Sequence, residues 1–161
     1  MNPKYDSVQV ELKREEIKKK LDGLESEIIN GEVIVFAEDE AHTLWGDTLG
    51  HVWCRENERT EVPIENAKER QTYYGVMNLY NQEFKISPYE RGNGENTVDF
   101  LKYLQAGNKG KKLVILWDNA SYHRSKEVRS YLNKVNQGLE EKEWKITCYP
   151  LLQMPLSKTR L

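Results

Sequence analysis

Two cysteines are all that the 161 residues contain, and no long apolar run occurs among them. Cys54 and Cys148 make neither a disulfide framework nor a metal quartet, which suits a reducing cytosol. No stretch approaches the roughly 18 apolar residues of a membrane span, and no apolar segment follows Met1 to mark secretion, so the chain is expected in the cytoplasm and away from membranes. Neither sign of charge predominates: 24 Lys and Arg against 26 Asp and Glu leave a net charge of -2. Overall charge therefore lends no support to a dedicated nucleic-acid-binding protein. Internal repeats and low-complexity tracts are missing as well. What is present is 38% hydrophobic and 31% charged residues at a mean hydropathy of -0.80. At this length, within the ~100–200 residues usual for a domain, that composition supports one modest core.

Residues 1–30 read as an edge or linker helix. Val10, Ile17, Leu21, Leu24 and Ile28 recur at helical intervals in a Lys/Glu-rich stretch interrupted by Gly23. From Val33 the pattern changes. Val33 to Ala37 is a continuous apolar run closed by Glu38-Asp39-Glu40, as expected of a strand buried on both faces. Leu44 to Cys54 suggests a pair of strands turning near Thr48–Gly50, and residues 55–71, with Pro63, read as a loop. Tyr73 to Tyr80 and Phe84 to Ile86 read as strands joined by the turn Asn81-Gln82-Glu83. A helix capped by Asn96 or Thr97 carries Val98, Phe100, Leu101 and Leu104 to Gly107. Leu113 to Trp117 is the second buried strand, ending at Asp118-Asn119. Ser125 opens another helix with Val128, Tyr131, Leu132 and Val135, stopped by Gly138, and Trp144 to Tyr149 is a last strand ended by Pro150. Antiparallel strands first, then strands alternating with helices, predict an α/β fold with a mixed sheet and helices on its faces.

Both buried strand candidates finish in an aspartate, Asp39 and Asp118. Ligands collect at the carboxyl ends of strands in α/β sheets. Were the two strands neighbours, their terminal carboxylates would repel unless a cation sat between them. Oxygen-only ligands favour magnesium or manganese, and a metal pair held by shared carboxylates activates water and stabilises the leaving oxygen in phosphodiester displacement. The alternative for each Asp is a turn or helix cap.

The words around the two acids are more specific. Phe36-Ala37-Glu38-Asp39-Glu40 and Leu116-Trp117-Asp118-Asn119-Ala120-Ser121-Tyr122-His123 resemble the first two acidic motifs of DDE-type transposases, in the bacterial insertion-sequence branch of the Tc/mariner superfamily. Trp53, Pro63, Tyr74-Gly75 and the helix from Asn96 to Leu104 resemble the family too, over roughly residues 30–150. The resemblance implies an RNase H-like catalytic domain over 31–161 and Mg2+- or Mn2+-dependent chemistry on DNA. It makes Asp39 the first metal ligand and Asp118 the second, with Glu40, Asn119 and His123 near the site. Helix-turn-helix modules and a third acid also belong to the family pattern. Here no Asp or Glu follows Glu143, so the third acid is missing and the fold is expected to be C-terminally incomplete, with apolar sheet surface left uncovered. Glu140, Glu141 and Glu143 read as a solvated charge run. Codons can be chosen for Pro150–Leu161 so that the −1 frame resembles the family's third-acid loop, which suggests a frameshifted product.

The expectation is therefore a transposase fragment that cuts and joins transposon-end DNA when intact. By itself it would be inactive or dependent on frameshifting, and would associate with another copy or with full-length transposase. The alternatives are a non-catalytic regulator or inhibitor of transposition, an RNase H-like binding domain, and a metal-dependent nuclease with a different third ligand.

Overall fold

The computed structural model describes residues 7–44 and 70–152. The expected strand pair beyond Leu44, most of the loop over 55–71, Trp53, Pro63, Cys54 and the tail after Leu152 lie outside the described residues.

The first helices are α1 (Ser7–Asp22) and α2 (Glu25–Ile29), split at Gly23 as the sequence suggests. Their apolar positions dock on the sheet: Ile17 packs with Val33, Val35, Val114 and Leu116, and Leu21, Leu24 and Ile28 join them. Exposed i,i+3 pairs such as Lys13–Glu16 decorate the outer side of α1 and add little.

Strand β1 (Val33–Leu44) is longer than its apolar run. The sequence reading closes it at Glu38-Asp39-Glu40, but the backbone continues in ladder with β2 (Arg70–Asn78), from Phe36 opposite Asn78 to Leu44 opposite Arg70. Hydrogen bonding to an antiparallel neighbour extends the strand through residues whose side chains are polar. Arg70 and Gln71 likewise belong to β2 and not to the loop. A turn with Gln82 at φ 60° leads to β3 (Phe84–Tyr89), which pairs antiparallel with β2.

Helix α3 (Gly94–Gly107) begins earlier than expected, because Asn93 is its cap and accepts the backbone N–H of Asn96. Gly94 is required there: a Cβ would collide with the Ser125 hydroxyl and lie 2.9 Å from Glu127 Oε2. Strand β4 (Lys112–Trp117) follows, then α4 (Lys126–Val135), capped by Ser125 through the N–H of Val128 as its sequence suggests. The helix ends three residues before Gly138. Asn136 terminates it and turns its side chain to the Ile146 carbonyl and the Lys145 N–H, both at 2.8 Å, tying the helix to β5 (Ile146–Pro150). Trp144 lies outside β5.

The five strands lie in the order β3-β2-β1-β4-β5, with β1, β4 and β5 parallel and β2 and β3 antiparallel to their neighbours. This is the expected mixed α/β sheet. One face carries the main core, where Phe36, Tyr74, Ile115 and Trp117 meet Phe100, Leu104 and Val128 of α3 and α4. On the other face, α1 and α2 cover β1 and β4, while Met77, Phe84 and Ile86 of β2 and β3 remain exposed.

Candidate active site

Strand β1 pairs with β4 only as far as Ala37 opposite Leu116. Past that point β4 ends at Trp117 and the chain turns away, so the second half of β1 is hydrogen-bonded to β2 alone. Asp39 and Asp118 each lie two residues past this last pair. Asp39 does not end its strand, as the sequence suggested; it occupies the place where β1 loses its parallel neighbour.

Side chains alternate along a strand, and here that alternation sorts three consecutive acids. Asp39 is exposed on the face of Ala37 and Ala41. Its cross-strand partner is Gly75, whose missing side chain leaves room; a Cβ there would press on the Phe84 ring at 3.1 Å. Beside it opens a cleft of about 400 Å³, lined by Asp39, Tyr73, Met77, Phe84 and Ile86 among others. Glu38 and Glu40 share the parity of Phe36 and turn to the helix-covered side. Their side chains are only 2% and 3% exposed.

Asp118 sits at the end of β4 with its side chain 35% exposed. Its Oδ1 accepts the N–H of Ala120 at 2.7 Å, an Asx-type turn that orients the carboxylate. Asn119 is half-buried in the same turn. His123, in the 3-10 turn Ser121–Arg124, stacks on Trp117 with ring centroids 4.2 Å apart and an interplanar angle of 10°. Its Nδ1 lies 3.2 Å from the Asp118 carbonyl and 3.3 Å from Asp118 Oδ1, and its Nε2 lies 2.9 Å from Glu40 Oε1. The structure thus brings Glu40, Asp118 and His123 into direct contact and sets Asp39 across the sheet from the two glutamates.

Glu38 is the site residue that sequence reasoning missed. Neither of its oxygens has a hydrogen-bond partner among the described residues, and Oε2 approaches His123 Nε2 only to 3.5 Å. Burial, reinforced by the charges of Glu40, Asp39 and Asp118, pushes its carboxyl up to about 9. Tyr122 is raised as well, by burial first and then by Glu40. The signal was there in the parity: two residues after the buried Phe36, Glu38 must face the same core once the strand is known to continue.

Four acids crowd a small volume, with one histidine among them. The solvent-side donors, Asp39 and Asp118, are carboxylate oxygens, the chemistry that hard divalent cations prefer. Burial is the first cause of the raised Glu38 carboxyl and the neighbouring carboxylates add to it; Glu38, Glu40 and His123 offer ligand atoms within 4.8 Å of one another, so the residues present fit such an ion.

A family model described as DDE superfamily endonuclease matches residues 33–142, from the first residue of β1 to the turn before β5. Curated proteins include no match. Among solved structures the backbone is similar to Mos1 transposase in its paired-end complex with the left transposon end, with a TM-score of 0.52 and 14% identity, covering 93% of this chain and 44% of that one. The Mos1 strand transfer complex gives a TM-score of 0.50 at 12% identity, covering 91% and 42%. The HTLV-2 integrase catalytic core domain in complex with magnesium gives 0.47 at 13%, covering 73% and 59%. At such identities the likeness is one of fold, and the chain spans under half of the Mos1 chains and about three fifths of the integrase core. The sheet is RNase H-like, the family match runs through both acid-bearing strands, and the chain belongs to the DDE superfamily endonucleases.

Proposed function

We propose that this chain is part of the catalytic core of a DNA transposase, with Asp39 and Asp118 as two of the carboxylates that hold its divalent metal, Mg2+ or Mn2+. The observation that supports this reading best is that each lies two residues past the last β1–β4 pair, where the two strands part. Metal ions held there would activate a water or a DNA 3′-hydroxyl and stabilise the leaving oxygen of the phosphodiester. The chain's own residues do the rest. Asp39 stands exposed beside an open cleft, so a phosphate can approach it. The Ala120 N–H holds Asp118 in one orientation.

On this reading transposon-end DNA is the substrate, and a second copy or a full-length transposase the partner. The compartment is the cytoplasm. No helix among the described residues is long and apolar enough to cross a membrane. A non-catalytic regulator of transposition is the second reading.

The test is a Mn2+ titration followed by electron paramagnetic resonance, on the chain and on Asp39→Asn and Asp118→Asn. Each variant should lower affinity about tenfold or more while melting as the parent does. Unchanged affinity in both would overturn the reading.

A further inference from the structure

His123 has no ordinary reason to be where it is. Its side chain is 1% exposed, and it stacks flat on Trp117 with its edge toward Tyr122. Packing alone would be served equally by a phenyl ring. Yet each ring nitrogen faces oxygen acceptors. Nδ1 meets the carbonyl and the carboxylate of Asp118, and Nε2 meets the carboxylate of Glu40. The Glu40 backbone is held in the ladder to β2 on that stretch, Glu40 opposite Tyr74. The imidazole therefore spans from the rigid second half of β1 to the residue at which β4 has just left the sheet.

That span matters because the backbone ladder no longer joins the two strands there. The last β1–β4 pair is Ala37 with Leu116, and Asp118 lies two residues beyond it, in a turn. Without a tether, the separation of Asp118 from Asp39 would follow the motion of the turn. Among the described residues, Ala120 N–H and His123 Nδ1 both meet the Asp118 carboxylate at Oδ1, and Nδ1 also meets the Asp118 carbonyl, so the turn is held at this residue.

We propose that Glu40 and His123 form a positioning pair that clamps Asp118 to β1, so that the second carboxylate keeps its place relative to Asp39. The proposal rests on the reading of these two aspartates as metal-holding groups. Glu40 and His123 are positioning residues in it. They lie on the buried side of β1, and outer hydrogen-bond partners of this kind are typically worth 10–100-fold in metal affinity.

The experiment measures Mn2+ affinity of the full chain by electron paramagnetic resonance, with thermal melting alongside. His123→Phe keeps the stack on Trp117 and removes both nitrogens. Glu40→Ala removes the anchor, and Glu40→Gln restores an acceptor oxygen for Nε2. His123→Phe and Glu40→Ala should weaken Mn2+ binding by about 10-fold or more, and Glu40→Gln should recover most of it. In an Asp118→Asn background, His123→Phe should produce no further loss, since on this proposal it acts on the metal through Asp118 and not as one of the ligands. If His123→Phe does not fold, the Glu40 pair carries the same comparison. Parent-like affinity in His123→Phe and Glu40→Ala, with loss in Asp118→Asn, would overturn the positioning role and leave the metal reading standing. A loss of equal size with and without Asp118 would also overturn it. A parent chain that binds no Mn2+ would overturn the metal reading and this proposal together.

Discussion

Glu38, Asp39 and Glu40 are neighbours in sequence and carry the same functional group, but β1 sends them to opposite sides of the sheet. Asp39 faces an open cleft beside Gly75 and Phe84, where water screens its charge. Glu38 lies under the helices with no hydrogen-bond partner among the described residues, and its carboxyl holds its proton up to about 9. Glu40 shares that burial but meets the imidazole of His123 at 2.9 Å. A carboxyl's role here is decided by which face the pleat gives it. The covered face encloses the carboxyls of Glu38 and Glu40, and the open face presents that of Asp39 to solvent.

That contrast can be broken at its strongest point by removing the covered face. Phe100 is 1% exposed and packs on Tyr74 with ring centroids 5.4 Å apart. Phe100→Ala should cost about 3–5 kcal/mol in urea denaturation, a large share of a small domain's stability. Loss of less than about 1 kcal/mol would mean that the helices do not carry the fold.

A pH series sharpens the contrast between the acids. Glu38 titrates near 4.5 when unfolded and near 9 when folded, so between those values the folded chain holds the extra proton. Stability owed to this group therefore falls as pH rises through that window and levels off above it. The slope is at most about 1.4 kcal/mol per pH unit, to be read as the difference between parent and Glu38→Gln at pH 7 and pH 8 with a chelator present. A parent and variant with parallel profiles would show that Glu38 is ionised in the fold.

The smallest effect belongs to the open face. Phe84 is 61% exposed, and Phe84→Ser should change stability by no more than about 0.5 kcal/mol. A cost several times larger would show that the β2–β3 face is covered in solution.

Much of this could be seen in the residues beforehand. The run Leu113–Trp117 is apolar at every position because β4 is central and buried on both faces, and a continuous run of that kind has few other uses. Ser125 before Val128 announces a cap, and the structure has it. Other elements were misread for specific reasons. The apolar pattern closes β1 at Glu38-Asp39-Glu40, whereas the ladder to β2 runs on to Leu44. The pattern caps α3 at Asn96 or Thr97 because Asn93 lies in a Gly-rich stretch that reads as loop, though its side chain caps the helix. For the site, Asp39, Asp118 and His123 were visible as words, and Glu38 was not.

By itself, the sequence determined the order of strands and helices, the two acid-bearing motifs and the family they belong to. These depend on local patterns: apolar periodicity, capping residues and short runs of chemistry. Only the tertiary structure decided that β1 and β4 are parallel neighbours that part after Ala37, that Asp39 and Asp118 each follow that last pair by two residues, and that Glu40 and His123, 83 positions apart, touch. Such pairings depend on register between distant strands and on the face each residue takes, and both are settled only when the whole sheet closes on its core.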